Sequence, residues 1–417
     1  MHIVFATTEF ITERGCDGGL ANYLAKTGRI LSEHGHQVTI VVSSKDNKVI
    51  EYDRNIKVVR VARNMSEIDF VLKYIKSVVW KDILFNCWHS YKLNQKIKEI
   101  HENEKIDLVQ YCHLSALGLF RTKKIPSVVR MSSFGPMMRM ISAADYEPGM
   151  GKPEIGLLDK LDILAIKRAD GVFAPSALIA RIVEKVVGIK VNVLESPAMG
   201  MNLSKVGQIP DFLKGKKYFL FFGTLSNIKG LKTVVNSVHR ILCQNPEFYF
   251  VFIGKDCGVS MEEGMKSPAV KKLMEAAGEY RDRILYLQVI KDRERLNSII
   301  YHAELCILPY RLENLPNTCI EAMELGKIVI STRKSGIGQL IRDGYNGFLV
   351  EQNSPDALAD KINEVLHMPD EIKGEVSLNA QKRIEKMMPE KFYRYMMQYY
   401  QNVIRSAGGK DNEKKYF

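Results

Sequence analysis

The chain has 417 residues, 46% hydrophobic and 26% charged, with a formal net charge of +12. That length and mixture suit two α/β domains with full cores and exclude a disordered or fibrous protein. No uninterrupted apolar stretch approaches the ~20 residues of a membrane span, and residue 2 already opens a strand-like run, which argues against a signal peptide. The positive excess favours an anionic partner: a nucleic acid, an anionic membrane face or an anionic small molecule. The chain has no zinc-type spacing, no RNA-binding aromatic signature and no basic block of five or more residues, so nucleic acid is the least favoured of the three. The seven cysteines are odd in number, lack any Cys-x-x-Cys, and several sit in apolar runs. They read as buried, reduced residues of a cytoplasmic protein.

In chain order, His2–Thr7 reads as a buried parallel strand. Gly18 and Gly19 follow, and then a helical pattern of Leu20, Tyr23, Leu24, Thr27, Ile30 and Leu31, closed by Gly35. The pair of glycines suits either a plain tight turn or a backbone that approaches a ligand. His36–Val42 is the next expected strand, and the later strands of this half are Lys57–Val61, Leu108–Tyr111, Ser127–Met131, Gly171–Ala174 and Val191–Leu194. Between Lys57–Val61 and Leu108–Tyr111, Phe70, Val71, Tyr74, Ile75, Val78 and Val79 fall on one helical face, with Lys73, Lys76 and Lys81 elsewhere and Trp80, Phe85 and Trp88 following. Such a face either packs on the sheet or lies on an anionic membrane. The stretch Phe134–Pro153, rich in Met, Gly and Pro, shows no period and reads as a loop.

Residues 197–215 carry Pro197, Gly200, Pro210 and Gly215 with little periodicity and read as a linker. The expected domains are thus 1–196 and 216–386, with 387–417 as a terminal helix and frayed tail. Strands are expected in the second half at Tyr218–Phe222, Phe248–Ile253, Ile284–Leu287, Leu305–Leu308, Ile328–Ile330 and Gly347–Val350. Strand-helix alternation in both halves predicts two doubly wound parallel sheets. The final helix, Pro389–Ile404, is rich in tyrosine and methionine.

Two segments of the second half carry chemistry. Gly223–Gly230 (Gly-Thr-Leu-Ser-Asn-Ile-Lys-Gly) links a strand to a helix. A helix start favours phosphate through free N–H groups and a partial positive charge, and Lys229 adds a full one. Glu313–Glu321 (Glu-Asn-Leu-Pro-Asn-Thr-Cys-Ile-Glu) places one acid in a loop and another in the following helix. Ionised carboxylates at the carboxyl edge of a parallel sheet suit a ligand rich in hydroxyls. Thr318 and Glu321 also have the spacing of a capping box, which would make Glu321 a helix-start residue.

The ordered set Gly223–Gly230, Glu313 with Glu321, the run from Glu321 through Gly326 to Thr332, and the run from Gly336 through Gly344 and Gly347 to Val350 resembles the retaining glycosyltransferases of family 4. The likeness covers nearly the whole chain, and its specific motifs lie at about 215–385. It implies a GT-B fold: two Rossmann-like α/β domains facing a central cleft, with a C-terminal helix crossing back to the first. It implies transfer of a sugar from a nucleotide-diphosphate donor, UDP before GDP, to a glycan, lipid-linked or small-molecule hydroxyl, with no cofactor and no divalent metal. Lys229, Glu313 and His113 take the catalytic roles in this reading. Gly223, Thr224, Asn314, Leu315, Asn317, Thr318, Glu321, Gly18 and Gly19 bind the donor, and Arg130 is a further candidate beside the cleft. Peripheral contact with the inner membrane face stays open, because acceptors of such enzymes include lipids. One position departs from the pattern. Relatives carry Arg after the first glycine of the phosphate loop, where this chain has Thr224. Either backbone N–H groups suffice there, or Arg311 or Arg333 supplies the charge. A sugar-nucleotide epimerase of the same architecture and a non-catalytic partner subunit are the alternatives, and Thr224 is the hint toward the latter.

Overall fold

The computed structural model describes residues 1–16, 18–53, 55–142, 154–201, 206–262, 265–333 and 335–413. The chain divides into two compact units. The first is built from the chain up to Met138, the stretch ending at Pro197 and the C-terminal stretch from Pro389; the second centres on Ala198–Met388.

The first unit runs β1 (His2–Thr7), α1 (Gly19–Glu33), β2 (Gln37–Ser44), β3 (Val49–Asp53), β4 (Ile56–Ala62), α2 (Asp69–Leu72), α3 (Val78–Asn103), β5 (Leu108–Cys112) and β6 (Ser127–Arg130). After α4 (Gly135–Ser142) come α5 (Leu157–Arg168), β7 (Gly171–Ala174), α6 (Ala177–Val187) and β8 (Asn192–Val193). One eight-stranded sheet has the order β3-β4-β2-β1-β5-β6-β7-β8. Every pairing is parallel except the edge hairpin β3–β4. The continuous apolar runs of β1 and β5 are buried along their whole length, as a sheet covered on both faces requires. Strand β3 is absent from the sequence reading because Val49–Asp53 is half-buried to exposed and shows neither period clearly. Strand order reverses between β1 and β5, so the loops after these two strands flank the crevice where such sheets bind ligands.

The expected helix over 70–79 does not form. Helix α2 stops at Leu72 and α3 begins at Val78. Leu72 turns inward with Ile68 and Phe85 against Ile75 and Trp88, a small satellite cluster. Phe70, Val71, Tyr74, Val78 and Val79 are exposed, so this face is not packed on the sheet. Of the stretch 134–153, the described beginning is helical in α4, and residues 143–153 lie outside the described residues.

The second unit runs β9 (Lys217–Phe222), α7 (Leu231–Gln244), β10 (Phe248–Ile253), β11 (Val259–Glu262), β12 (Met265–Ser267), α8 (Ala269–Ala277), β13 (Ile284–Leu287), α9 (Arg293–His302) and β14 (Leu305–Ile307). It continues through α10 (Asn317–Glu324), β15 (Ile328–Thr332), β16 (Phe348–Val350), α11 (Pro355–Leu366) and α12 (Asp370–Ile384). Six parallel strands lie in the order β13-β10-β9-β14-β15-β16, and β11–β12 form a separate hairpin. Alternation along β9 divides the core: Tyr218, Leu220 and Phe222 enter one cluster, Phe219 and Phe221 the other. Order reverses here between β9 and β14. From Ala198 on, the stretch expected as a linker is part of this unit, since Ala198 and Leu213 are buried in its core and the Ser298 hydroxyl donates to the Gln208 carbonyl at 2.8 Å.

The last helix, α13 (Pro389–Glu413), belongs to the first unit. Its tyrosines do the packing. The buried Tyr400 hydroxyl donates to Gln110 Oε1 at 2.6 Å, and Tyr393 stacks on His34 with ring centroids 3.6 Å apart.

Candidate active site

The crevice of the second sheet is framed by the loop after β9 and the loop after β14. The first leaves the strand at Gly223, whose N–H donates to the Ile253 carbonyl at 2.9 Å. A side chain at Gly254 would place its Cβ 1.9 Å from the Gly223 carbonyl oxygen, so the two backbones approach as only glycine permits. Asn227–Lys229 form a 3-10 turn, and Gly230 at φ +80° closes it and starts α7. A Cβ at Gly230 would meet the Pro309 carbonyl oxygen at 1.7 Å. This contact presses the turn carrying Lys229 against the loop carrying Glu313. The Arg311 N–H donates to the Ile228 carbonyl at 3.0 Å and fixes the register of the two loops.

Lys229 and Glu313, 84 residues apart, form an ion pair through Nζ and Oε1, with both side chains largely buried. Lys229 Nζ also lies 5.2 Å from the centroid of the Tyr310 ring, a cation–π contact. Tyr310 is itself fixed: its hydroxyl bonds the Thr318 hydroxyl, and its carbonyl accepts from the Thr332 hydroxyl. Burial holds the Tyr310 phenol far above its ordinary pKa, so it stays neutral. Glu313 is further held by its carbonyl, which accepts the Gly336 N–H at 2.8 Å. A Cβ at Gly336 would come within 2.2 Å of the carbonyl oxygens of Glu313 and Asn314.

Glu321 is not a capping residue. Helix α10 begins at Asn317 after Pro316, so Thr318 lies inside its first turn and spends its hydroxyl on Tyr310. Glu321 is buried, with Oε1 3.4 Å from Nη1 of Arg293 at the start of α9. Nothing in the local sequence marks Arg293 as that partner, because the pairing joins helices 28 residues apart. Asn314, Leu315, Asn317 and Thr318 lie between the two acids, Leu315 with its side chain buried. Glu324, one turn on, was missed by the sequence reading. Its buried carboxylate accepts the N–H groups of Met199 at 3.0 Å and Met201 at 2.5 Å, fixing the helix that carries Glu321.

The two cations expected to replace the missing arginine differ. Arg333 is committed to Asp343 and to Glu351, the latter at 3.3 Å. Arg311 Nη2 is buried with no hydrogen-bond partner among the described residues, as is Asn227 Oδ1 in the neighbouring turn. A buried donor and a buried acceptor without partners each cost about 1–3 kcal/mol. Asn227 belongs to the turn that carries Lys229 and Arg311 is bonded to that turn through its N–H, so the two atoms suit a polar ligand there.

The remaining sequence candidates lie in the first unit. Gly18 is the N-cap of α1 and Gly19 its first residue, both exposed, in the loop after β1. His113 follows β5, and Arg130 ends the neighbouring β6. All four thus stand at the carboxyl end of that sheet, His113 and the glycines beside its reversal point. His113 is buried, with Nδ1 accepting the Ser132 N–H at 3.3 Å and Nε2 at 3.0 Å from the Ser133 hydroxyl. Burial, with the Arg130 charge nearby, pushes the imidazole down to about 4, so His113 is neutral at physiological pH. Arg130 is buried, its guanidinium 3.6 Å from the centroid of the Tyr23 ring and bonded to the Ser132 and Ser196 hydroxyls.

Comparison with known proteins bears on the family and the fold. Residues 207–384 match the family Glycosyl transferases group 1, and residues 17–195 match Glycosyltransferase Family 4. The spore coat protein SA of Bacillus subtilis is 27% identical over 157 residues, 37% of this chain and 40% of that protein. The alpha-D-kanosaminyltransferase of Streptomyces kanamyceticus is 26% identical over 168 residues, 40% of this chain and 41% of that protein. The matched stretches thus span about two fifths of these relatives' length. Among solved structures, sucrose-phosphate synthase from Thermosynechococcus elongatus superposes with a TM-score of 0.71 at 18% identity, covering 97% of this chain and 100% of that one. The Anabaena protein HepE, solved with UDP, superposes with a TM-score of 0.68 at 15% identity, covering 96% of this chain and 100% of that one. Two α/β units with parallel sheets, these neighbours and the matches along both halves of the sequence lead to one assignment: the chain has the GT-B fold and belongs to the group 1, family 4 type of glycosyltransferase families.

Proposed function

We propose that the chain transfers a sugar from a nucleotide-diphosphate sugar, UDP before GDP, to a hydroxyl of a glycan, lipid-linked or small-molecule acceptor, with retention of anomeric configuration. The observation that carries this reading is the Lys229–Glu313 pair at the reversal point of the second sheet, with Glu321 buried in the next helix. When the glycosidic bond breaks, negative charge develops on the leaving diphosphate, and a positioned cation lowers the barrier. Lys229 and the backbone N–H group of Thr224 suit that task, and Arg311 supplies the second charge that Thr224 lacks. Glu313 and the backbone around Asn314, Leu315 and Asn317 suit the hydroxyls of the sugar. Glu321, oriented by Arg293 and flanked by Thr318, suits the two ribose hydroxyls. His113, neutral and doubly hydrogen-bonded, serves as a hydrogen-bonding residue on the acceptor side, with Gly18 and Gly19 leaving backbone room.

The charges in this scheme are the chain's own, so transfer is expected to persist in EDTA without a cofactor. The relatives' names include a sugar transferase, and one neighbour was solved with UDP; both support a sugar-nucleotide donor. Calorimetric titration with UDP, GDP and their sugars, followed by proton NMR of the transferred anomer, tests the reading. Saturable binding of one nucleotide diphosphate and an unchanged anomeric configuration are expected. Binding without turnover across donor and acceptor panels would favour the non-catalytic subunit that Thr224 suggests. Conversion of a sugar nucleotide without acceptor would favour the epimerase.

A further inference from the structure

Among the described residues, a group of exposed apolar side chains lies where α2 meets α3. Tyr74 is 78% exposed, Val78 71%, Phe70 67% and Trp80 53%, with Val79 and Leu84 beside them. Water-exposed aromatic and branched side chains concentrated in one short segment are costly unless something covers them. Beneath them, Ile68, Leu72 and Phe85 pack against Ile75 and Trp88, so the patch stands on a built support. Trp80, Leu84 and Tyr91 recur near helical spacing along α3 and extend the stripe, and the half-buried Trp88 stacks on Tyr91 with centroids 5.9 Å apart.

The charge around the patch decides among occupants. Lys73 and Lys76 are exposed and Lys81 is half-buried, and none has a carboxylate partner among the described residues. Two of the segment's acids are turned to local partners. Glu67 accepts from Lys92 Nζ at 2.6 Å and from the Trp88 indole at 3.3 Å, and Asp82 lies near Arg63. Unpaired lysines interleaved with Trp, Tyr and Phe match the headgroup zone of an anionic bilayer, where aromatic rings sit at the interface and lysines meet lipid phosphate. A second copy of this chain would bring the same lysines against one another and suffer like-charge repulsion. No helix of the described residues is long and apolar enough to cross a membrane, so contact through this surface would be peripheral.

We infer that the surface formed by Phe70, Tyr74, Val78 and Trp80 with Lys73, Lys76 and Lys81 docks the first unit on an anionic lipid bilayer. Each lysine near such a surface contributes about fivefold to partitioning, so reversing three lowers vesicle affinity at least ~100-fold. The full chain is mixed with phosphatidylcholine vesicles, with or without added phosphatidylglycerol, and floated. Flotation only with phosphatidylglycerol, lost at ~1 M salt where the screening length falls to ~3 Å, is expected. The triple variant Lys73→Glu/Lys76→Glu/Lys81→Glu and the triple variant Phe70→Ser/Tyr74→Ser/Trp80→Ser should each stay off the vesicles while unfolding at the wild-type temperature. If the second set unfolds early, the lysine set, whose groups make no ion pairs, decides alone. Wild-type protein that stays off anionic vesicles at low salt, or variants that float like wild type, would overturn the inference. A dimer that the aromatic variant splits, seen by light scattering, would also overturn it in favour of self-association. Nucleotide binding by calorimetry is read separately and should be the same in both variants, so failure here leaves the donor-site reading standing.

Discussion

At the scale of single residues, the candidate site is an arrangement of charge. Lys229 already holds a partner in Glu313, so a donor diphosphate must compete with that carboxylate for the ammonium, and a second cation eases the exchange. Arg311 stands on the same turn through its bond to Ile228 and has a buried nitrogen with no acceptor. Arg311→Ala is therefore expected to weaken UDP binding by roughly tenfold or more, the loss of one charge-assisted hydrogen bond of about 1.5–3 kcal/mol. Adding Thr224→Arg to that variant should restore part of the loss, because it returns a cation to the loop. Calorimetric dissociation constants for the two variants, with Arg333→Ala as control, check this. Equal affinity of Arg311→Ala and wild type would remove Arg311 from the phosphate site, and Lys229→Ala separates that result from failure of the site as a whole. Much of the site's residue content was legible, since Lys229, Glu313 and Glu321 stand in recognisable local order. Arg293, Tyr310 and Glu324 were not legible, because each acquires its meaning from a partner on another element.

At the scale of elements, α10 joins two jobs. It carries Glu321 toward Arg293 of α9, and one turn later Glu324 ties down the chain at Met199 and Met201. Glu324→Ala would leave two backbone N–H groups without an acceptor, at about 1–3 kcal/mol each. An apparent loss of about 2–4 kcal/mol in urea unfolding is expected, with a smaller loss for Glu324→Gln, which keeps an acceptor oxygen. An unchanged midpoint would show that water or another group replaces the carboxylate at no cost. The segment before β9 illustrates why element boundaries elude a sequence reading. Its prolines and glycines predict a linker, yet Ala198 and Leu213 are drawn into a core whose other walls are supplied far along the chain. The expected helix over 70–79 fails for a related reason. Only Leu72 and Ile75 find an apolar support there, so the single turn of α2 and the start of the long α3 replace one amphipathic helix.

At the scale of the whole molecule, stability should depend on pH through groups buried in neutral form. His89, bonded to the Ser43 hydroxyl at 2.7 Å, and His113 are both pushed down to about 4 from the ordinary 6.5, chiefly by burial. A depressed histidine takes its proton more readily in the unfolded chain. Its contribution is therefore complete above pH 6.5 and is lost as pH falls through about 4. Two such groups amount to roughly 3 kcal/mol each at most. Asp162 acts in the opposite sense. Burial raises its carboxyl to about 7, so its contribution is complete below 3.8 and is lost as pH rises through about 7. Asp162 is only half-buried, which discounts its effect, and the histidines are expected to prevail. Urea midpoints should fall between pH 7 and 4, and a His89→Gln/His113→Gln double variant should flatten the slope. The same fall in the double variant would assign it to other groups.

What the sequence determined by itself is local in origin. Unbroken apolar runs at Tyr218–Phe222 and Leu305–Leu308, short and bounded by glycine or proline, suit strands covered on both faces, and the alternation of such runs with helices points to a parallel sheet. The glycines of the phosphate loop and the spacing of Glu313 and Glu321 were readable for the same reason: each motif is contained in one stretch of chain. Tertiary structure alone decided the rest. Strand order placed the Lys229 and Glu313 loops beside one another across 84 residues, removed Thr318 from a capping role by starting the helix at Asn317, and distinguished the buried nitrogen of Arg311 from the committed Arg333. It also left the aromatic face of Phe70, Tyr74 and Trp80 in solvent where periodicity alone allowed core. Periodicity records which residues share a face, whereas the partner that covers a face or pairs a charge comes from distant chain brought near by folding.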